Sequence, residues 1–189
     1  MTVLTENATI RMIEVPEIIE CNQVVLIRGL PGSGKTSLAN MINPIGNVFR
    51  AATDDWFLDN DGKYEFNPSD LVVNHQACLD WFKDRVLSSE GNHTIVVHNT
   101  FSMFWELHPY ISFTQRVNSD QHGTGKFRIN VIDKYDDGLS DEELAKRNTH
   151  GVNHIAIGRM RERLKKSRWS WEKYDMYDDG IEETGHRWL

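Results

Sequence analysis

The stretch "VVLIRGLPGSGKTSLA", residues 24–39, places a glycine-rich turn between an apolar run and a segment with helical composition. Residues 29–36 fit the pattern G-x-x-x-x-G-K-[ST]. Its glycines let the backbone curl, so that successive N–H groups point at phosphate oxygens, and the following helix adds the positive end of its dipole. The preceding residues 23–28 are typical of a buried parallel strand. Strand, turn and helix in this order predict a nucleotide-phosphate cradle.

Two side chains of this cradle have distinct expected roles. Lys35 reaches the β- and γ-phosphates, and the hydroxyl of Thr36 is a ligand for Mg²⁺. The sequence therefore predicts a nucleoside triphosphate and Mg²⁺ as cofactors. The residues of the turn and first helical positions that we expect to bind the nucleotide are Gly29, Gly32, Ser33, Gly34, Lys35, Thr36 and Ser37.

Strand-like and helix-like segments alternate along the rest of the chain. Further strands are predicted at residues 47–53, 93–100 and 127–133, each separated from the next by an amphipathic or well-capped helix. This alternation predicts an α/β fold, with a parallel sheet covered by helices on both faces. We expect three regions: a lead-in over residues 1–22, the nucleotide-binding domain over residues 23–168, and an aromatic and acidic tail over residues 169–189.

The charge of the chain is uneven. A net charge of −7 argues against non-specific coating of nucleic acid. Residues 159–168, "RMRERLKKSR", nevertheless hold six basic side chains. A solvated helix face and a phosphate-binding surface explain this run equally well, and Lys165 and Lys166 are the candidates for substrate contact.

The composition also indicates in which cellular compartment the protein is expected. No apolar run approaches the roughly 20 residues that span a membrane, and the first 20 residues lack the pattern of a secretory signal. Two cysteines do not make a disulfide framework. We expect a cytoplasmic protein with no membrane partner (host cytoplasm if phage-encoded), and the oligomeric state stays open.

Two adjacent carboxylates follow the second predicted strand, in "RAATDDWFLD", residues 50–59. The carboxyl ends of parallel strands face the ligand crevice of an open sheet. A phosphotransferase needs a carboxylate there to accept the proton of the acceptor hydroxyl, and it benefits from another near Mg²⁺. Asp54 and Asp55 are expected to divide these roles. Trp56 beside them either stacks on an acceptor base or packs against the core.

The remaining motifs narrow the class of nucleotide-binding protein. The stretch "VIDKYDD", residues 131–137, lacks a base-reading motif of GTPases, and the third strand ends in His98 and Asn99 rather than in a carboxylate. These features favour a kinase over a GTPase or a motor ATPase, with Asn99 a candidate substrate contact. Arg147 lies late in a helix before a glycine-containing turn, as expected for a lid arginine that neutralises the transferring phosphates.

The chain resembles the P-loop kinases related to the kinase domain of phage polynucleotide kinase, including eukaryotic ATP-binding proteins of that group. The resemblance covers roughly residues 23–166 and implies a P-loop three-layer sandwich with about four or five parallel strands and a helical lid. It implies that Asp54 is the general base, that Lys35 and Thr36 serve ATP and Mg²⁺, and that Arg147 is the lid arginine. The stretches that carry it, in order, are "RGLPGSGKTSLA", "ATDDWF", "GKYEFNPSDLVVNHQ", "IVVHNTFSMFWELHPYI" and "RNTHGVNHIAIGRMRERL".

The chain also departs from that family. His98 replaces an aspartate that helps to hold the metal, which leaves Thr36, Asp55 or water for metal ligation. Residues 56–58 stand where polynucleotide kinases carry an arginine for a substrate phosphate, and a second lid arginine soon after Arg147 is missing. These losses count against activity on 5′ ends of polynucleotides but not against the ATP site.

Three functions remain open at this point. The first is a nucleic-acid or nucleotide kinase, and one acceptor that suits the losses is the hydroxymethyl group of 5-hydroxymethyluracil in phage DNA. The second is a kinase for a small molecule or a peptide. The third is an ATP-binding module without transfer chemistry.

Overall fold

A computed structural model describes residues 8–10, 22–42, 46–59, 61–89, 91–120 and 126–178. Within these ranges the chain forms a five-stranded sheet, six α-helices and two short 3-10 helices, Thr53–Phe57 and Pro68–Asp70. The strands are β1 Ala8–Ile10, β2 Asn22–Arg28, β3 Asn47–Ala51, β4 His93–His98 and β5 Phe127–Lys134. The helices are α1 Lys35–Met41, α2 Leu71–Leu87, α3 Phe104–Ser119, α4 Asp141–Arg147, α5 His154–Lys166 and α6 Trp171–Asp178.

The sheet has the strand order β1-β5-β2-β4-β3. Strands β5, β2, β4 and β3 run parallel, with Val25 of β2 opposite Val96 of β4 and Asn130 of β5. This confirms the predicted parallel sheet. Strand β1 adds an antiparallel edge next to β5 and falls within the lead-in predicted at residues 1–22.

Both faces of the sheet are covered because successive side chains of a strand point in opposite directions. Val24 and Leu26 of β2 belong to a core cluster shared with α2 and α3, whereas Val25 and Ile27 pack with Ala39 of α1. The larger cluster also takes in Trp169 and Tyr174, which lie in the region set apart as a tail. The result is the predicted three-layer arrangement of helices, sheet and helices.

Helices α4 and α5 pack over the glycine-rich turn rather than on the sheet. Leu30 of the turn, Leu144 of α4 and Ile157 of α5 form a separate buried cluster. The start of α4 is fixed by the expected capping box, because the Glu143 N–H donates to Ser140 Oγ at 3.2 Å and the Ser140 N–H donates to Glu143 Oε2 at 2.8 Å. This pair of helices is the predicted helical lid.

The start of the long helix α2 differs from the sequence prediction. The sequence predicts Ser69, two residues before α2, as the cap of this helix. In the structure Asn67 caps the 3-10 turn that precedes α2, and its Oδ1 accepts a hydrogen bond from the Ser69 N–H at 3.1 Å. The prediction was wrong because asparagine and serine are both good caps and only the chain path distinguishes them. None of the described helices has the length and apolar character needed to cross a bilayer.

Candidate active site

The glycine-rich turn is held against its neighbours so closely that two of its glycines have no room for a side chain. A Cβ on Gly29 would lie 2.5 Å from the carbonyl oxygen of Lys134. Gly32 has φ 78°, and a Cβ there would collide with the carbonyl oxygen of Leu144 in α4. The turn therefore needs glycine both for its conformation and for the close approach of β5 and the lid.

Lys35 lies at the centre of this turn, at the first position of α1. Its Nζ donates to the carbonyl oxygen of Leu30 at 2.9 Å, so the side chain folds back along the loop. Burial lowers the pKa of Lys35 to about 8, and the nearby Asp54 carboxylate opposes that shift. A buried ammonium group between a curled loop and a carboxylate is well placed to attract phosphate oxygens.

The rest of the cradle also fits an anionic ligand. The Ser33 hydroxyl is buried and has no hydrogen-bond partner within the described ranges. Thr36 and Ser37 are exposed in the first turn of α1, where backbone N–H groups lack partners within the helix. The orphaned hydroxyl and the free helix start match what the oxygens of a polyphosphate require.

Asp54 and Asp55 lie in the 3-10 helix Thr53–Phe57, which begins just after β3 ends. The Asp54 side chain is 46% exposed, and its charge acts on Lys35. Asp55 has one oxygen committed to its own helix, since Oδ2 accepts the Ala52 N–H at 2.8 Å. The two carboxylates therefore have different surroundings, and Asp54 is the one whose charge acts on the pKa of the lysine.

Two aromatic residues contact Asp54, and neither was singled out from the sequence. The Tyr64 hydroxyl donates to Asp54 Oδ1 at 3.3 Å, and Nε2 of His150 lies 3.6 Å from Asp54 Oδ2. Burial, followed by the Asp54 charge, raises the pKa of Tyr64, so its hydroxyl remains a donor. The sequence predicts a loop here, with Asp-Gly at residues 61–62 as a turn signal, and the structure forms an antiparallel bridge between Leu58 and Tyr64 around that turn. No local pattern pointed to His150.

Asn99 and Trp56, two predicted substrate residues, have structural partners instead. Asn99 is buried, and its Oδ1 accepts the Thr53 N–H at 2.8 Å. Trp56 packs edge-on against Trp81, with ring centroids 6.4 Å apart, and contacts the main core. Asn99 thus fixes the start of the 3-10 helix that carries Asp54, and Trp56 anchors that helix to α2.

The region where Mg²⁺ would bind is sparse in ligands. No group of three or more His, Cys, Asp or Glu side chains placed to hold a metal occurs among the described residues. Thr36 and Asp55 remain the side chains that would hold Mg²⁺ beside bound phosphates. Burial lowers the pKa of His98 at the end of β4, a shift opposed mainly by Asp55, so His98 is neutral near pH 7.

Arg147 ends α4 and is exposed. It follows Leu144 by three residues, so the two share a helix face. Because the carbonyl oxygen of Leu144 lies against Gly32, Arg147 is one turn beyond the glycine-rich loop. This position suits a lid arginine, although the described contacts do not include one between Arg147 and the cradle.

The basic run lies on α5. Arg159, Arg163 and Lys166 recur at helical spacing on one face and line an open groove with a volume of about 520 Å³. Lys165 does not line this groove and pairs at 2.9 Å with Glu162, an acidic side chain that does line it. The strip of three basic side chains, rather than Lys165, is therefore the candidate phosphate-binding surface.

Comparisons with known proteins bear on the fold. No protein-family model matches the chain. NEDD4-binding protein 2 from Homo sapiens is 33% identical over 151 residues, which are 76% of this chain but only 8% of that protein. A chain in the structure of the Pnkp1/Rnl/Hen1 RNA repair complex aligns with a TM-score of 0.56 at 18% identity, covering 81% of this chain and 47% of that chain. This likeness shows the fold, a P-loop-like three-layer α/β sandwich, and confirms the predicted fold class.

Proposed function

We propose that this chain is an ATP-dependent phosphotransferase that moves the γ-phosphate to a hydroxyl of a nucleic-acid or nucleotide acceptor. The observation that carries the proposal is the position of the half-exposed Asp54 carboxylate just after β3, at the same edge of the parallel sheet as Lys35 after β2. A nucleotide-binding module without chemistry needs the lysine but not a half-exposed carboxylate beside it. A phosphotransferase needs both, because one group binds the phosphate and the other receives the acceptor proton.

The reaction follows from these positions. Asp54 accepts the proton of the acceptor hydroxyl while the hydroxyl oxygen forms a bond to the γ-phosphorus. The bond between that phosphorus and the oxygen bridging to the β-phosphate breaks, and ADP leaves with the electron pair. Lys35, and Arg147 when the lid closes, offset the charge on the transferring group. Mg²⁺, when held by Thr36 and Asp55, would neutralise charge on the β- and γ-phosphate oxygens.

Two observations support a nucleic-acid or nucleotide acceptor. The basic strip Arg159, Arg163 and Lys166 lies on α5, which follows the lid turn that reaches Asp54. The fold is similar to that of a chain in the Pnkp1/Rnl/Hen1 RNA repair complex. Within this class we propose the hydroxymethyl group of 5-hydroxymethyluracil in DNA as the specific acceptor, because the missing arginines count against a terminal 5′-hydroxyl.

A screen with γ-labelled ATP and Mg²⁺ tests the proposal. The acceptors are DNA and RNA with 5′-hydroxyl ends, DNA containing hydroxymethylated pyrimidines, nucleosides, a serine and threonine peptide, and simple polyols. We expect label on hydroxymethylated DNA and not on the peptide or the polyols. Label on 5′ ends alone would refute the specific acceptor, label on the peptide or polyols alone would refute the acceptor class, and ATP binding without label on any acceptor would refute transfer.

A further inference from the structure

Four ring side chains lie in succession beside Asp54, each tilted by 44–55° to the ring that it contacts. Ring centroids are 4.5 Å apart for Tyr64 and His150, 6.0 Å for Tyr64 and Phe57, and 5.1 Å for Phe57 and Phe66. Phe57 is buried beneath the others, whereas the Phe66 residue is 52% exposed and the His150 side chain 36% exposed. The three outer rings, Tyr64, Phe66 and His150, are here called the ring platform.

The hairpin that carries two of these rings is held by its own hydrogen bonds. Leu58 and Tyr64 form a β-bridge, and the Glu65 N–H donates to the Phe57 carbonyl oxygen at 2.8 Å. Inside the turn, Asp59 Oδ1 accepts two backbone N–H groups, at 2.9 and 2.8 Å. Tyr64 is therefore fixed before any ligand arrives, which lowers the entropic cost of binding a flat group against it.

Two rings of the platform, Tyr64 and His150, lie next to the two carboxylate oxygens of Asp54, the proposed general base. Tyr64 donates to Asp54 Oδ1, whereas the 3.6 Å separation of His150 Nε2 from Oδ2 exceeds a normal hydrogen bond. Oδ2 is thus not committed to a hydrogen bond with His150 and is open to an acceptor hydroxyl. A group lying on the rings has its substituents within reach of that oxygen.

We propose that the ring platform is the acceptor subsite and that it takes a planar heteroaromatic base, which carries the reacting hydroxyl or adjoins the sugar that carries it. Half-exposed rings of Tyr, Phe and His stack on any base through its π-face, without reading its edge. A polyol or a serine side chain gains little from such rings because it has no π-face to stack on them. This inference rests on the proposed function, since it makes the acceptor of that reaction a base-bearing molecule.

The ring platform lies beside the residues for which the sequence left base stacking and core packing both open. Trp56 and Phe57 are the aromatic residues adjacent to the two aspartates. Phe57 is buried, and Trp56 is partly buried and packs against the main core. The next aromatic residues along the hairpin, Tyr64 and Phe66, return to the same edge of the site. His150 comes from the lid turn, so the platform is complete only when the lid is in the position seen here.

Direct binding of two matched oligonucleotides tests the subsite without requiring phosphoryl transfer. The probes are a fluorescein-labelled oligothymidylate and an abasic oligomer of the same length, compared by anisotropy for the full chain. We expect the wild type to bind the thymidylate at least about fivefold more tightly, because stacking on one ring is worth that much or more. Tyr64→Leu and Phe66→Ala should each reduce this preference severalfold, and Tyr64→Phe should retain it.

A matched control is Leu87→Ala, which removes an exposed apolar side chain at the far end of α2 and should leave the preference unchanged. Equal binding of both oligomers by the wild type, or a preference that survives both ring-removing substitutions, would overturn the subsite. A base preference without label transfer in the acceptor screen would leave the subsite standing and refute the proposed function. Efficient transfer to the abasic oligomer would refute the subsite and leave phosphoryl transfer to a nucleic-acid hydroxyl standing.

Discussion

Nε2 of His150 lies 3.6 Å from Oδ2 of Asp54, so the turn between α4 and α5 reaches the carboxylate that follows β3. The same pair of helices packs Leu144 against Leu30 and Gly32 of the glycine-rich loop. One small lid therefore contacts both the glycine-rich loop and the carboxylate proposed as the general base. A change in the lid is expected to alter both sides of the reaction.

Replacing Asp54 with asparagine tests its proposed role as the general base. The change removes the proton acceptor but keeps the size of the side chain and an oxygen for the Tyr64 hydroxyl. Transfer to the acceptor identified by the screen should fall by about 10²–10⁴-fold, while ATP affinity changes little. The measurements are single-turnover transfer and ATP binding by calorimetry at the same pH. Asp61→Asn, an equal charge change at an exposed turn position, is the control, and unchanged transfer in Asp54→Asn would remove this residue from the mechanism.

Asn99→Ala separates a structural role from a substrate contact. Its Oδ1 accepts the Thr53 N–H in a buried position, so the substitution leaves that donor unsatisfied. We expect a loss of about 1–3 kcal/mol of unfolding free energy, together with a lower kcat from a displaced Asp54. Urea unfolding and steady-state kinetics provide the two readouts. Undiminished stability with a raised KM for the acceptor would instead support the substrate contact predicted from the sequence.

Local sequence patterns predicted most of the fold. The strand before the glycine-rich turn, the helix that starts at Lys35 and the capping box of Ser140 and Glu143 each depend on neighbouring residues, and the structure has all three. The antiparallel strand β1 had no such signal. Its three residues are specified by pairing with β5 rather than by their own pattern.

The candidate site was only partly predictable for the same physical reason. The sequence predicted that Lys35 and Asp54 lie at one edge of the sheet, and in the structure both follow parallel strands that end there. The side chains of Trp56 and Asn99 point toward the core and the 3-10 helix, respectively. This depends on the path of the 3-10 helix, which residue spacing alone does not predict. His150 reaches Asp54 only through the packing of the lid.

The basic strip on α5 can be tested through the salt dependence of binding. Arg159→Gln and Lys166→Gln combined should weaken oligonucleotide binding uniformly across sequences, and should flatten the slope of log affinity against log salt by about one to two. The control is Lys83→Gln with Lys126→Gln, which removes the same charge from α2 and from the residue before β5. Equal slopes for the two double variants would make the strip a solvated helix face.

The acid stability of the chain should depend on His75. Burial lowers its folded-state pKa to about 4, opposed in part by the Asp54 carboxylate, and Nδ1 lies 3.2 Å from Thr53 Oγ1. The unfolded chain binds a proton at His75 below about pH 6.5, where the folded chain does not. This residue therefore lowers the unfolding free energy between about pH 6.5 and pH 4, by at most about 1.4 kcal/mol per pH unit.

Urea unfolding at pH 7.5, 6.0 and 5.0 checks this sign. His75→Asn should lose less stability than the wild type between pH 7.5 and pH 5.0, even if it is less stable at pH 7.5. His154→Asn, at an exposed position, should follow the wild type. A His75→Asn curve parallel to that of the wild type would show that another group controls the acid limb.

Arg28 ties the end of β2, immediately before the glycine-rich loop, to the exit of the lid. It is fully buried, and its Nη1 donates to the Ser167 carbonyl oxygen at 2.8 Å while its Nη2 donates to Ser167 Oγ at 3.2 Å. Its Nε lies 3.3 Å from Asp133 Oδ1, and its charge also favours the ionised form of Glu106, a carboxyl whose pKa burial raises. Removing the guanidinium leaves buried carbonyl and carboxylate groups without their cation.

We expect Arg28→Met to lose about 3–5 kcal/mol of unfolding free energy, which for a chain of this size lowers Tm by about 10 °C. Arg28→Lys should fall between Arg28→Met and the wild type, because an ammonium group keeps the charge but not the geometry that reaches Ser167 and Asp133 together. Calorimetry on the three proteins gives this order directly. If the order is right, ATP affinity should also weaken in Arg28→Met at temperatures where it is still folded, since Gly29 follows the substituted position. A Tm equal to that of the wild type would mean that the lid exit is held by other contacts, among them the bond from the Ser167 hydroxyl to the Ser102 carbonyl oxygen.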